Sequence, residues 1–409
     1  MPERTVLVSG ASIAGPALAY WLREFGMNPV VVERADALRP GGQTVDVRGA
    51  GQTVAQRMGL EDQIRAASTG EAGVAFVDDQ NRTKAAFPAS AAGGQGFVAE
   101  LEILRGDLAR LLYDHTRAQT EYLFGDRISR LDARAERVDV TFLSGATRDF
   151  DLVVAADGIR SRTRALIMAG DPASTGARAV RPLGQYTAYF TIPRASDDGS
   201  WARWYNAPGG RVMVVRPDNV GTSRAMLTFM SEPHDYEDLD ADDQRALLQE
   251  TFADAGWEAP RVLAGMADAT DFYFELIGQV RLPRWSVGRT ALVGDAAYCA
   301  SPISGMGTSL ALVGAYVLAG ELSRHEDHRA AFAAYEKVMR PYVDSAQQLP
   351  PGTPRLACPQ TRAGIALLNA GLRIASSRPV GWVSDKVSRP RTEQFSLPDY
   401  GGSTAASAA

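Results

Sequence analysis

Two patterns of apolar positions alternate along the chain and divide it into regions. Short unbroken apolar runs, the mark of strands buried on both faces, occur at residues 5–9, 29–33, 152–155 and 290–294. Between the first two, Ala14, Ala17, Leu18, Trp21, Leu22 and Phe25 fall at helical spacing and form one stripe. Gly26 ends that helix. Residues 5–33 therefore read as strand, glycine-rich turn, helix, strand. Residues 39–51 read as a glycine-rich loop, 53–67 as a helix, 72–87 as paired strands and 89–96 as a small, flexible stretch. A helix over 104–116 and a meander over 128–142 and 147–155 follow.

Near residue 175 the pattern changes. Residues 185–192, 202–206, 211–217 and 223–231 alternate with period 2 and are separated by turn residues. With a helix at 241–255 and a strand at 271–280, they predict an antiparallel sheet. The buried-strand pattern returns at residue 290. An Ala- and Leu-rich helix over 307–322 comes next, then a helix over 329–347 bent or interrupted at Pro341. A last amphipathic helix, 363–376, reads as cover for the seam between domains. The predicted fold class is α/β. A discontinuous Rossmann-like domain (1–70, 98–175, 281–325) joins an antiparallel-sheet domain (71–97, 176–280), a C-terminal helical segment (326–400) and a disordered tail (401–409).

Composition narrows the class. The 409 residues suffice for two domains or one large composite. Apolar residues at 45% and charged residues at 22% are the balance of a soluble globular protein. A net charge of −5 offers no basic field to nucleic acid or to an anionic membrane. Cys299 and Cys358 make neither a disulfide framework nor a zinc set, and no metal site is expected. No apolar window reaches transmembrane length and no leader pattern precedes residue 5, so a cytoplasmic protein is the expectation. The four histidines sit in no motif and read as surface residues.

Three separated segments carry candidate chemistry. Gly10-x-Ser12-Ile13-Ala14-Gly15 joins the first strand to the first helix. Such a turn brings backbone N–H groups and a helix start to a diphosphate. Glu33 ends the second strand at the distance of a ribose ligand. The second segment, 152–164, delivers Asp157-Gly158 from a buried strand into Arg160, Arg162 and Arg164. The third runs Gly294-Asp295-Ala-Ala, then Pro302 and Gly305-Met306-Gly307. It offers one carboxylate to a polyol and backbone amides to a flat ligand. Taken singly, each has a plain structural reading: a glycine turn with a surface Glu33, a solvated basic helix, and a helix entry capped by Asp295.

In this order and spacing, the three segments resemble the class A flavoprotein monooxygenases, the family of para-hydroxybenzoate hydroxylase. The resemblance covers nearly the whole chain, and residues 294–307 are most similar to the tetracycline-inactivating and antibiotic-tailoring members. It implies FAD as cofactor, NADPH or NADH as transient co-substrate, and O₂. Its residue roles put the FAD diphosphate at Gly10–Gly15, the adenosine at Glu33 and Arg34, and the phosphate–ribityl stretch at Arg105. Asp157 faces the diphosphate side, Asp295 holds the ribityl chain, and Pro302 with Gly305, Met306 and Gly307 lies against the ring. Asp46 and Arg48 resemble a flavin-flanking loop, and Arg160, Arg162 and Arg164 meet the nicotinamide dinucleotide. Two positions depart from the family: Ser12 replaces a glycine, and Tyr298 stands where many members have His.

The implied reaction is hydroxylation of a phenolic or polycyclic small molecule through a flavin C4a-hydroperoxide. Baeyer–Villiger oxygenation and a flavin oxidase or dehydrogenase are the alternatives. The flavin carries the chemistry, so no protein nucleophile is required. A single dinucleotide fingerprint and no Cys-x-x-Cys pair argue against a disulfide reductase. The substrate is expected between flavin and antiparallel sheet, with Tyr189, Arg203, Tyr205, Met213, Val215 and Phe229 as candidates. Met213 and Val215 share a face, without an indication of which face is inward. A monomer and a homodimer are both compatible with the sequence.

Overall fold

The computed structural model describes residues 4–39, 41–89, 101–171, 174, 176–350, 352–376 and 395–401. The 402–409 part of the predicted tail, and 90–96 of the stretch read as flexible, lie outside the described residues. The chain opens with β1 (Thr5–Ser9), α1 (Ala14–Glu24), β2 (Asn28–Glu33) and β3 (Thr44–Val47), then α2 (Ala50–Arg57) and α3 (Glu61–Ala66). The hairpin of β4 (Gly73–Val77) and β5 (Thr83–Pro88) precedes β6 (Leu101–Leu104), which runs straight into α4 (Arg105–Thr116). Next come β7 (Glu121–Phe124), β8 (Ile128–Ala133), β9 (Val138–Phe142), β10 (Thr147–Phe150), β11 (Leu152–Ala155) and α5 (Arg162–Ile167). The second region holds β12 (Val180–Pro193), β13 (Trp201–Ala207), β14 (Arg211–Pro217), β15 (Thr222–Met230), α6 (Ala241–Phe252), α7 (Ala259–Asp268) and β16 (Tyr273–Val280). The chain returns through β17 (Ser286–Val287), β18 (Thr290–Leu292) and α8 (Asp295–Tyr298) to α9 (Gly307–Arg324), α10 (His328–Ala346), α11 (Thr353–Ala357) and α12 (Arg362–Ala375).

Six strands form a sheet in the order β17-β18-β11-β1-β2-β7. Every pairing in it is parallel except β17 with β18. Strand order reverses beside β1, and the carboxyl ends of strands flanking such a switch point form a ligand crevice. The α1 and α9 helices pack on this sheet. Residues 308–322 of α9 are buried all round, as a helix apolar on every side must be.

The second sheet has seven strands in the order β16-β12-β15-β14-β13-β4-β5. Helices α6 and α7 cover one of its faces with a core that includes Leu248, Phe252, Val262 and Met266. The β4–β5 hairpin joins through a parallel pairing of β4 with β13.

Five elements differ from the sequence reading. The helix expected over 53–67 is two helices, because Gly59 adopts φ +71° between them. The loop expected at 39–51 contains β3, held by antiparallel pairing with the distant β6. Short β7 on the sheet edge and α7 were not predicted. The last helix, α12, rests Leu372 on the cluster of Val74, Phe76 and Ala202 in the seven-stranded sheet and leaves Leu367 and Ile374 exposed, so it lies on one domain. Among the described residues no helix is long and apolar enough to cross a membrane.

Candidate functional site: a dinucleotide cradle facing a polar sheet

The three glycine turns leave the carboxyl ends of the adjacent strands β1, β11 and β18. At the first, Gly10 has φ +110°, and a Cβ there would lie 2.6 Å from the Ala156 carbonyl oxygen. Its N–H donates to the Val32 carbonyl at 2.7 Å. A Cβ on Gly15 would lie 1.8 Å from the Gly10 oxygen, so both glycines are required by backbone contact. Ser12 is half-exposed, which accommodates a side chain at the middle position. Ile13 and Ala14 start α1 with no side-chain cap and no acidic residue in the first turn, leaving that end free to meet an anion. Glu33 sits beside the turn and accepts from the N–H groups of Ala11 at 2.9 Å and Ala35 at 3.0 Å. Arg34 next to it is exposed.

At the second turn the carboxylate of Asp157 is directed inward. It accepts from the Ser161 hydroxyl, from the Thr163 N–H at 3.1 Å and from the Thr163 hydroxyl at 3.0 Å. Its expected place facing a diphosphate is therefore corrected to organising the loop that abuts Gly10. Arg164 is corrected as well. Its guanidinium is buried and donates to the carbonyls of Ala296 at 3.0 Å and Ile159 at 2.8 Å, tying the second turn to the third. A group so enclosed cannot meet a transient dinucleotide. Arg160 and Arg162 are exposed, and Arg160 pairs with Glu237 of the sheet domain at 2.7 Å.

At the third turn Gly294 has φ +64°, and a Cβ there would lie 2.9 Å from the Ala14 Cβ, against the first motif. Asp295 opens α8. Its side chain is exposed at the strand end, yet the protein packed around it desolvates the carboxyl and raises its pKa. A Cβ at Gly307 would lie 3.9 Å from the Asp295 carboxylate, and one at Gly305 would lie 3.6 Å from that of Asp46. Four expected site residues thus converge. Ser301 takes φ +80° before Pro302, and Gly305 is left-handed, which turns the chain into Met306 and the uncapped start of α9. Arg48 pairs with Asp46 at 2.7 Å, while its N–H donates to the Ser309 hydroxyl at 2.9 Å. Tyr298, the departure from the family pattern, points into the core. Its hydroxyl fills the notch left by Gly314 and lies 3.0 Å from that of Tyr335.

Arg105 begins α4, with no hydrogen bond or ion pair from its guanidinium among the described residues. Its charge acts on Asp295, Tyr273 and Glu275. An unpaired guanidinium beside uncapped helix starts and a carboxyl suits a diphosphate joined to a polyol. These groups fit a flavin dinucleotide.

The seven-stranded sheet corrects most of the substrate expectations. On β12, Tyr186, Ala188, Phe190 and Ile192 pack under α6 and α7. The same core takes in Tyr205, Met213, Val215 and Phe229, so these four face the helices. Tyr205 donates from its hydroxyl to the Ala255 carbonyl at 2.8 Å. Arg203 is buried on that side too, paired with Asp198 at 2.5 Å and with Glu258. Only Tyr189 among the candidates belongs to the opposite face.

Register assembles that opposite face. One row runs Tyr273, Tyr189, Met226, Val214, Trp204, and the next runs Glu275, Thr187, Thr228, Val212, Asn206. Thr187 and Thr228 share a hydrogen bond at 2.9 Å. Cys358, just after α11, covers Val212 and Val214, leaving Met226, Tyr273 and Glu275 accessible. Arg216 ties this face to Glu71 before β4 at 2.9 Å, to Glu102 of β6 at 3.0 Å and to the Thr44 hydroxyl of β3. Burial pushes the Glu102 carboxyl up to about 7 against the pull of Arg216. These residues were missed, although a signal existed: the apolar members of β12 had to be the core, which left Gln185, Thr187, Tyr189 and Thr191 for the other face.

With this geometry the comparisons with known proteins agree. The model of the FAD binding domain family matches residues 3–348. The chain belongs to this family of flavin-dependent monooxygenases. It is 39% identical over 355 residues to a flavin-dependent monooxygenase of an unknown prokaryotic organism, covering 85% of this chain and 89% of that one. It is 32% identical over 429 residues to the FAD-dependent monooxygenase asL4 of Sarocladium schorii, covering 98% and 99%. The crystal structure of tetracycline destructase Tet(51) matches this flavin monooxygenase with a TM-score of 0.80 at 31% identity, covering 97% of this chain and all of that one. Klebsiella pneumoniae HpxO, solved with FAD and uric acid, shares the fold at a TM-score of 0.74 and 20% identity, covering 94% and 96%.

Proposed function

We propose that this flavin monooxygenase uses NADPH or NADH and O₂ to hydroxylate a phenolic or polycyclic small molecule of tetracycline-like class. The observation that carries the reading is the row Tyr273, Tyr189 and Met226 on the open part of the sheet face, where Tyr273 and its neighbour Glu275 lie within reach of the charge of Arg105 in the cradle. The row offers a flat, largely apolar wall with polar neighbours one register step away, which suits a fused-ring substrate bearing hydroxyls.

In this reading the Gly10–Gly15 turn and the start of α1 hold the FAD diphosphate, and Glu33 holds the adenosine ribose. Arg105 meets the phosphate–ribityl stretch, Asp295 accepts from a ribityl hydroxyl, and Pro302 to Gly307 line the ring. Asp46 and Arg48 flank the ring from the β3 side. Arg160 and Arg162 stand at the rim, where they attract the phosphates of the nicotinamide dinucleotide. When bound, the flavin supplies hydride acceptance and oxygen activation. The chain's own part is to orient the substrate ring against the cradle and to keep water out.

Two measurements test this. With labelled O₂, one labelled oxygen enters the product of a fused-ring phenol turned over with NADPH or NADH. Stoichiometric H₂O₂ with no label in any product refutes oxygenation and leaves an oxidase. Asp295→Ala protein loses flavin on gel filtration that the parent retains. Equal retention refutes the placement of the ribityl chain.

A further inference from the structure

Glu275 lies on β16 opposite Thr187, and its neighbour Phe274 packs under α6 and α7, so Glu275 points to the cradle side. It accepts a hydrogen bond from the Tyr273 hydroxyl at 3.0 Å. No cation pairs with it among the described residues. The charged and titratable groups that face it come from every neighbouring element. Asp295 on α8 disfavours its ionised form and Arg105 on α4 favours it. Glu237, in the turn Tyr236–Asp238, is already matched by Arg160. Tyr189 on β12 and the Cys299 thiol are neutral neighbours, both pushed upward mainly by burial.

We propose that Glu275 is a cofactor-positioning residue that works in its protonated form, donating a hydrogen bond to an oxygen of the ribityl–diphosphate stretch of FAD. This rests on the reading that the cradle holds FAD. Two carboxyls and a diphosphate in one recess cannot all carry charge cheaply. Asp295 is placed to accept from a ribityl hydroxyl, as an ionised acceptor does. Glu275, without a cation partner, is the group left to hold the proton. The free protein is already close to this state, since burial raises the Glu275 carboxyl to about 7. A nearby diphosphate raises it further.

The sign follows from linkage. FAD affinity is constant while Glu275 is protonated in the free protein. As pH rises through its titration, binding must take up a proton, and affinity falls about tenfold per pH unit for one proton. The test is FAD titration of the apoprotein from pH 6 to pH 9, read by flavin fluorescence, for the wild type, Glu275→Gln and Tyr273→Phe. Glu275→Gln keeps a neutral donor, so it should bind as the wild type does at low pH and stay flat. Tyr273→Phe removes a hydrogen bond that favours the carboxylate, so the midpoint of the decline should move to higher pH. A wild type with no decline, a Glu275→Gln protein that keeps the wild-type slope, or an unmoved midpoint in Tyr273→Phe overturns the assignment. Wild type that binds no FAD at any pH overturns instead the reading of the cradle. Should Glu275→Gln fail to fold, the Tyr273→Phe midpoint alone decides.

Discussion

The two faces of the seven-stranded sheet are built from the same strands to different ends. Under α6 and α7 lie Tyr186, Phe190, Met213 and Leu227, with one partly buried ionic knot of Arg203, Asp198, Glu258 and Arg261. Toward the cradle lie Thr187 and Thr228, which share a hydrogen bond, together with Tyr189, Glu275 and Arg216, the last reaching Glu102 of β6. A strand that alternates perfectly always offers two faces, and alternation is blind to which one is covered. If the cradle face recognises the substrate, as proposed, and the helix face carries stability, substitutions on the two should separate.

The largest effect is expected at Arg203. Arg203→Ala leaves Asp198 and Glu258 with Arg261 as their one shared cation, an uncompensated charge at the edge of the core, and should cost about 3–5 kcal/mol in denaturant unfolding. A loss confined to substrate KM would reassign Arg203 to recognition. Leu227→Ala opens a cavity under α6 and should cost about 2–5 kcal/mol, since Leu227 is fully buried. Its unfolding midpoint should drop while the KM of folded enzyme stays put. On the cradle, Glu33→Ala should weaken FAD binding by about 1–3 kcal/mol, the worth of hydrogen bonds to a charged group. Part of that loss reflects the Ala11 N–H, which loses its acceptor. Unchanged FAD affinity would detach Glu33 from the adenosine. The smallest stability change belongs to Met226→Ala, about 1 kcal/mol, accompanied by a several-fold rise in KM for a fused-ring phenol. An unaltered KM would move the substrate off the sheet.

Legibility differed between the two regions for a local reason. Gly10, Gly15 and Gly294 are written into the chain because a backbone at positive φ, or pressed against another backbone, excludes other residues at each site. Strand, turn and helix start follow one another in sequence, so the whole cradle was readable piece by piece. The proposed substrate wall has no such local signature. Met213 and Val215 were rightly placed on one face, but that face belongs to α6 and α7. Arg203 and Arg216 are both arginines on alternating strands. One is buried against Asp198, and the other reaches across to Glu71 and Glu102. Only contacts between distant segments separate them. Asp157 and Arg164 show the same limit inside a readable motif: their residue types suit a phosphate site, yet their side chains close the loop.

The sequence by itself determined the three turns, their order and the acidic end of β2, because each depends on backbone conformation and neighbours a few residues away. That was enough to imply a flavin dinucleotide. Tertiary structure alone decided that the turns share one sheet edge, that Gly294 touches Ala14, and that the cradle faces Tyr189 and Glu275 and not Met213. The physical reason is that burial is a property of the partner as much as of the strand. An amphipathic sheet turns its apolar face to whichever helices arrive, and the other face is the one left open to a ligand.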